Sequence, residues 1–110
     1  MPLTPPSHDI DMATACYRSG MTCFKQAHFA EAIDFLKKAT HLRPDMTDAW
    51  YCLGLAYKKQ DQPDAAMTAF EAVLALSPDH HAARFHLASL LMLKQDTKAA
   101  LPHFETIAAA

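Results

Sequence analysis

The chain of 110 residues contains only two glycines and no run of 18 consecutive apolar residues. β-Sandwiches and β-barrels need many tight turns with positive φ, so the scarcity of glycine argues against those folds and predicts few such turns. The absence of a long apolar run argues against a transmembrane helix and membrane insertion. The first eleven residues have neither a basic start nor an apolar core, so we expect no signal peptide and a cytoplasmic location.

The sequence also lacks a charge excess and a cysteine framework. Ten basic residues against twelve acidic ones give a net charge of −2, so no nucleic-acid partner is expected. The three cysteines, Cys16, Cys23 and Cys52, are odd in number and lack disulfide-framework spacing. On one helix the Cα atoms of Cys16 and Cys23 would lie roughly 10 Å apart, too far for a disulfide. We therefore expect reduced, buried thiols.

The composition that is present predicts one folded, all-α domain. Apolar residues make up 51% of the chain and charged residues 20%, which is ordinary for a globular protein. Alanine is abundant and β-branched runs are nearly absent, which favours helices. Three prolines near the start (Pro2, Pro5 and Pro6) predict a flexible leader over residues 1–8. The folded domain is then expected over residues 9–110.

The dominant feature of the sequence is an internal period of 34 residues. Similar residues recur at that step in four sets: Gly20, Gly54 and Ala88; Ala32, Ala66 and Ala100; Leu36, Phe70 and Phe104; Pro44 and Pro78. A fixed period of this size is typical of stacked repeat architectures, in which neighbouring units complete one another's core. The predicted repeats are 13–46, 47–80 and 81–110.

Each repeat is predicted to be a pair of helices. In the second repeat Trp50, Leu53 and Tyr57 recur at helical spacing, and Ala66 and Phe70 begin a second helical pattern. The predicted helices lie near 9–26, 29–42, 47–60, 63–76, 81–94 and 97–109.

The capping and turn residues between the predicted helices support the same helix boundaries. The Asp61–Pro63 segment is predicted to supply a capping residue and a first-turn proline for the fourth helix. The Ser77–Asp79 segment is predicted to end that helix and to cap the next. Gly54 is expected where the paired backbones approach closely, beside Ala66. Pro102 falls about five residues into the last helix and predicts a bend or a late helix start.

These residues match a known pattern, W-x2-L-G-x2-Y followed by A-x3-F and P. The second repeat matches it in full through Trp50, Leu53, Gly54, Tyr57, Ala66, Phe70 and Pro78. The first repeat departs from it at Cys16, Ser19, Cys23 and Leu36, and the third at Arg84 and Leu91. The sequence resembles the tetratricopeptide repeat (TPR) family over residues 13–110. That resemblance implies a right-handed α-solenoid of three helix-turn-helix repeats with six antiparallel helices.

The resemblance also implies a concave groove lined by the first helix of each repeat. Positions 2, 5, 9 and 12 of each unit would point into it, and seven of these twelve side chains are aromatic, Met or Leu. An apolar patch in a groove is typical of a binding site for a peptide or helix. The predicted partner-binding residues are Tyr17, Met21, Phe24, Tyr51, Leu55, Lys58, Phe85, Ser89 and Met92. The alternatives are that the leader covers these side chains or that they pack between helices.

Basic residues are predicted at the rim of this groove. Arg18, Lys25 and Lys59 stand near Lys58 with few acids beside them, which favours a partner segment carrying acidic residues. The alternative is an ordinary solvated face. The TPR clamp for chaperone C-termini is absent, because its positions hold Tyr17, Met21, Cys52, Ala82 and His86.

The last helix suggests an alternative function. Terminal repeats normally carry a polar capping helix, whereas this helix offers Leu101, Phe104 and Ile107 and leads into Ala108–Ala110. Either the chain is a fragment of a longer array or it forms a homo-oligomer through that face.

No motif indicates catalysis, a metal or a cofactor. His80, His81 and His86 are the sharpest metal candidates, but adjacent histidines point in different directions and neither HExxH nor CxxC is present. A glycine-rich phosphate loop and a G-x-S-x-G elbow are also missing. We therefore expect a non-enzymatic module that binds a protein partner.

Overall fold

The computed structural model describes residues 8–94 and 97–109, and within that part the chain folds into six helices and no strand. They are α1 (His8–Lys25), α2 (Phe29–Leu42), α3 (Thr47–Lys59), α4 (Pro63–Leu76), α5 (His81–Leu93) and α6 (Thr97–Ala109). The all-α class is confirmed, and each predicted boundary lies within one residue of the observed one. The predicted leader falls outside the described residues except for His8, which is the first residue of α1 and not part of a leader.

The helices pack in chain order as three stacked pairs. The two helices of a pair pack against each other in α1–α2, α3–α4 and α5–α6. Contacts between α2 and α3 and between α4 and α5 join one pair to the next. The molecule measures 59 × 28 × 18 Å and its radius of gyration is 15.4 Å, against about 13 Å for a compact domain of this size. The repeats therefore form an elongated array, as the period predicts.

The apolar core lies at the junctions between repeats. One cluster includes Ile33, Leu36 and Leu53, at the junction of the first and second repeats. The other includes Phe70 and Leu87, at the junction of the second and third. Full burial of one such side chain contributes about 2–3 kcal/mol to stability. Because each cluster draws on two repeats, a single helix pair leaves its apolar face uncovered.

Glycine is required where a large side chain lies against the backbone of a first helix. A Cβ on Gly54 would lie 2.7 Å from Cε1 of Phe70, and one on Gly20 would lie 2.7 Å from Cγ of Leu36. The atoms nearest to Gly54 are those of the Phe70 ring, and at Gly20 the backbone oxygen of Ala32, the counterpart of Ala66, lies 3.4 Å from the same Cβ position. In the third repeat Ala88 takes the glycine position. Its partner Phe104 is half-buried, whereas Phe70 is fully buried.

Left-handed residues close two of the turns within repeats. Ala27 has φ 63° and Asp61 has φ 57°, and they are related by the 34-residue period. They are the positive-φ residues found in the described part of the chain, so such turns are few, as predicted. Neither is glycine, although a left-handed conformation costs other residues about 1–2 kcal/mol.

The N-caps of α4 and α5 are formed in different ways. Gln62, within the predicted Asp61–Pro63 segment, is the N-cap of α4, but its side chain makes no capping hydrogen bond. At α5 the N-cap is His80, whose Nδ1 accepts a hydrogen bond from the backbone N–H of Ala83 at 3.1 Å. The imidazole of His80 thus caps α5, a role that the sequence predicted for the Ser77–Asp79 segment.

On α3 and α5 the residue at position 4 of the repeat donates a hydrogen bond to the carbonyl of the preceding proline. Trp50 Nε1 donates to the carbonyl of Pro44 at 2.8 Å, and Arg84 Nη2 donates to the carbonyl of Pro78 at 3.0 Å. Arg84 Nη1 also donates to His103 Nδ1 at 3.0 Å, which links α5 to α6, while its buried Nε finds no partner. Arg84 therefore makes the same hydrogen bond as Trp50 although it lacks the indole ring.

Helix α6 begins at Thr97 and continues through Pro102. A late helix start is therefore wrong, and the helix as a whole is kept, as predicted. Thr106 Oγ1 donates to the carbonyl of Pro102 at 2.8 Å. Among the residues that the structure describes, none of the helices combines the length and apolarity that a bilayer crossing requires.

Candidate functional site

The predicted partner-binding residues lie on α1, α3 and α5, and we call this set the groove face. Phe85 is 52% exposed, Met92 is 45% exposed and Lys58 is exposed. The remaining six are half-buried: Tyr17, Met21, Phe24, Tyr51, Leu55 and Ser89. The most accessible apolar part of the groove face is therefore on α5.

On α1 the groove face also serves the core. Tyr17, Met21 and Phe24 pack against the first apolar cluster. The Cys52 thiol donates to Met21 Sδ at 3.1 Å, and the Phe24 ring meets Phe29 edge-on with centroids 5.2 Å apart. On α1 these side chains therefore pack between helices, which is one of the alternatives that the sequence left open.

Burial sets the protonation of the Tyr17–Cys52 pair. Burial raises the pKa of Tyr17 to about 12, and the negative charges of Cys52 and Asp48 would add to that rise. Burial also raises the pKa of Cys52; the hydrogen bond with Tyr17 opposes that rise and Asp48 adds to it. At neutral pH the thiol is therefore protonated. It acts as a packing group, because a nucleophilic cysteine needs a lowered pKa.

The middle of the groove face is an aromatic cluster that joins the second and third repeats. The Tyr51 ring lies 5.9 Å from Phe70, 4.8 Å from His80 and 6.0 Å from His86, centroid to centroid. His86 stacks on Phe70 at 5.2 Å with an angle of 12° between the rings. Side chains held on several sides in this way form a preorganised surface.

Lys58 reaches across the repeat junction to His86. Its Nζ donates to His86 Nδ1 at 3.1 Å. Burial and the Lys58 charge lower the pKa of His86, so the neutral imidazole accepts the bond. Lys58 is thereby fixed beside the aromatic cluster, where it places a positive charge within the groove face.

At the far end of the array the groove face runs into α6. The Phe85 ring meets His86 at 5.9 Å and Phe104 at 6.3 Å, both edge-on. Leu101 is 52% exposed, while Phe104 and Ile107 are half-buried. The predicted self-association residues therefore adjoin the exposed end of the groove face.

The predicted basic rim lies at the surface. Arg18, Lys25 and Lys59 are all exposed. In residues 8–94 and 97–109 the ion pairs join Arg43 to Asp45 at 3.5 Å and Lys94 to Asp64. None of them includes a rim residue, so the rim charges are available to a partner.

Two family profiles match this chain. One described as "Tetratricopeptide repeat" covers residues 53–110, and one described as "TPR repeat" covers residues 20–61. The first alone spans more than half of the sequence. The chain belongs to the tetratricopeptide repeat family.

Known TPR proteins resemble the chain over most of its length. The chloroplastic TPR domain-containing protein PYG7 of Arabidopsis thaliana is 32% identical over 76 residues, which are 69% of this chain and 25% of that protein. A crystal structure of MamA is 28% identical, with a TM-score of 0.85 over 88% of this chain and 57% of its own. MamA from Desulfovibrio magneticus RS-1, solved from residue 41 to its end, is 28% identical, with a TM-score of 0.82 and shares of 94% and 56%.

The TPR fold supports a protein–protein interaction module. The chain spans a quarter of its curated relative and a little over half of these solved chains. TPR arrays of this kind are typically non-enzymatic scaffolds.

The candidate metal histidines of the TPR array have separate roles. His80 caps α5, His81 is exposed, and His86 stacks on Phe70. In the part of the chain that the structure describes, no three His, Cys, Asp or Glu side chains converge as metal ligands would.

Sequence reasoning missed a large cavity that none of the groove-face residues lines. Its volume is about 1110 Å³, and α1, α2, α3 and α4 all contribute to its walls, with Trp50 and Tyr57 among the lining residues. A smaller pocket of about 340 Å³ lies beside Tyr17 and Asp48. Cys16 also lines the large cavity, and its place at a tryptophan position of the repeat was the sequence signal that could have revealed it.

Proposed function

We propose that the groove face binds a peptide or a helix of a partner protein through its apolar side chains. The exposure of Phe85, at 52%, carries this proposal. Burying a phenylalanine contributes about 2–3 kcal/mol, and α5 leaves this one in solvent beside Met92 and the aromatic cluster. A partner that covers Phe85 and Met92 gains that free energy.

The aromatic cluster supports the proposal through rigidity. Tyr51 contacts Phe70, His80 and His86, so its ring is already ordered before a partner arrives. Ordering a mobile side chain at an interface costs about 0.5–1.5 kcal/mol. A surface whose aromatic side chains are already fixed avoids that cost.

Charge supports an acidic character for the bound segment. Lys58 is fixed beside His86, and Arg18, Lys25 and Lys59 are exposed around the groove face. Carboxylates on the partner would pair with these cations and steer the encounter. We therefore propose a segment with apolar anchors flanked by aspartate or glutamate.

Capture of partners from the native lysate tests the groove. The double variant Phe85→Ala with Met92→Ala should weaken capture at least tenfold, as expected for loss of buried anchor residues. The control is Leu76→Ala, whose side chain is 43% exposed and lies outside both the groove face and the cavity. Melting temperatures should stay near the wild-type value in both. Equal capture by the two variants would contradict the groove assignment.

A second candidate function, self-association through α6, rests on one series of residues. Ile33, Met67 and Leu101 are related by the 34-residue period. Ile33 is 8% exposed, Met67 is half-buried against the second cluster, and Leu101 is 52% exposed. The helix of the following repeat covers the first two. A second copy of the chain would cover Leu101 and Phe104 in the same way.

Sedimentation equilibrium tests this second candidate. If α6 joins two copies, the wild-type mass rises with concentration, and Leu101→Glu or Phe104→Glu keeps the chain monomeric. Leu76→Glu, which places the same charge at an exposed leucine of α4, should leave the association intact. A wild-type mass that stays at 12.2 kDa over the whole concentration range would refute self-association.

A further inference from the structure

The large cavity arises from the degenerate first repeat. Cys16 occupies the position that holds Trp50 in the second repeat, 34 residues later, so a small thiol stands where the family places an indole. Met12 and Cys16 of α1 line the cavity together with Trp50, Leu53 and Tyr57 of α3. The missing indole is the reason why the space beside α1 is unfilled.

The size of the cavity suits several side chains at once. Its volume of about 1110 Å³ exceeds the range of about 300–1,000 Å³ typical of small-molecule sites. Helices from two repeats contribute to it, so it extends across the first repeat junction. Trp50 is held in place by its hydrogen bond to Pro44. The cavity therefore offers a preformed apolar seat for a peptide segment.

Charge decides what kind of segment fits. Lys37, Lys38 and His41 lie on the same wall, contributed by α2, and all three are exposed. Among the lining residues that the structure describes there is no carboxylate. A segment bound there would meet apolar side chains inside and cations at the edge.

We propose that this cavity is a second binding site, separate from the groove face, for an acidic amphipathic peptide segment of a partner protein. Its aromatic or aliphatic anchors enter between Cys16 and Trp50. Its carboxylates pair with Lys37 and Lys38. Because the site lies on the α2–α4 side, it can be occupied while the groove face holds another segment.

Selection from a phage-displayed library of random dodecapeptides tests the site. The wild-type chain should enrich peptides that combine aromatic or aliphatic residues with aspartate or glutamate. Trp50 is the single tryptophan, so synthetic copies of enriched peptides should shift its fluorescence emission. A lysine-substituted copy of each peptide should bind at least tenfold more weakly. No enrichment, or enrichment of basic peptides, would overturn the proposal.

Two variants locate the binding. Cys16→Trp restores the family residue and fills the cavity, so affinity for the labelled peptide, measured by anisotropy, should fall at least tenfold. Lys37→Glu with Lys38→Glu should weaken binding similarly without touching the interior. The control Ala75→Glu with Leu76→Glu adds two negative charges at exposed positions of α4 that belong to neither proposed site, and it should leave affinity unchanged.

Other occupants give different results. If Phe85→Ala with Met92→Ala abolishes binding of the selected peptides while Cys16→Trp does not, the peptides occupy the groove face and the proposal is wrong. If a medium-chain fatty acid shifts Trp50 emission saturably and no peptide is enriched, the cavity is a lipid site and the proposal is wrong as well. Loss of peptide binding in Cys16→Trp alone supports the cavity and leaves the groove proposal untouched.

Discussion

Phe70 connects the second and third repeats through contacts with a helix of each. One edge of its ring lies against Gly54 of α3, and the His86 ring of α5 stacks on it at 5.2 Å. Phe70 is 0% exposed, so it has little room to move. Its counterpart Phe104, in the repeat where Ala88 takes the glycine position, remains half-buried.

Gly54→Ala should destabilise the chain despite the better helix propensity of alanine. The new Cβ would lie 2.7 Å from Cε1 and 2.8 Å from Cζ of Phe70. Overpacking of this kind costs about 1–3 kcal/mol, which exceeds the gain of about 1 kcal/mol from helix propensity. Urea unfolding gives the difference. A variant more stable than the wild type would show that the Phe70 ring can yield.

His86 should make the chain less stable in mild acid. Burial and the Lys58 charge lower the pKa of His86 below its ordinary value. Below an ordinary histidine pKa of about 6.5 the unfolded chain then binds more protons than the folded chain, so stability falls as the pH falls. His103, whose pKa is lowered by burial and by Arg84, acts in the same direction.

Thermal unfolding between about pH 7.5 and about pH 5 measures this dependence. The melting temperature of the wild type should fall with pH, and His86→Gln should show a smaller fall from a lower starting value. His81→Gln, a change at an exposed residue of α5, should retain the wild-type profile. Parallel profiles for all three would contradict the role given to His86.

The turns show what sequence patterns can and cannot predict at the scale of helices. The bounds of α4 followed from Pro63, which fits the first helical position, and from Pro78 beyond its end. The identity of the cap within the Asp61–Pro63 segment did not follow, because Asp61, the residue with the stronger N-cap preference, takes up the left-handed conformation at φ 57° and Gln62 is the N-cap. A backbone conformation imposed by two packed helices overrides the local preference of one side chain.

Ala27→Gly, in the turn between α1 and α2, should increase the free energy of unfolding. Ala27 has φ 63°, so glycine relieves a cost of about 1–2 kcal/mol while losing about 0.5–1 kcal/mol in chain entropy. The expected net gain is about 0.5–1 kcal/mol in chemical unfolding. Ala15→Gly, the same change at an exposed position inside α1, should instead cost about 1 kcal/mol. Losses of equal size in both variants would contradict the left-handed turn.

At the scale of the whole molecule we propose two different binding faces. On the groove face Tyr17 and Tyr51 are half-buried by neighbours from the next repeat, and Phe85 is exposed. The second face is the cavity beside Cys16, which four helices line. The period predicted which side chains share a face. It could not predict their exposure, because that depends on contacts between repeats and on volume that is missing at Cys16.

Site-specific photo-crosslinking in the native cells tests the central proposal, that the groove face is where a protein partner binds. p-Benzoylphenylalanine replaces Phe85 in one variant and Leu76, a residue of α4 that is 43% exposed, in the other. The account predicts a discrete crosslinked protein from position 85 and none from position 76. The same crosslinks from both positions, or a crosslink from position 76 alone, would contradict it.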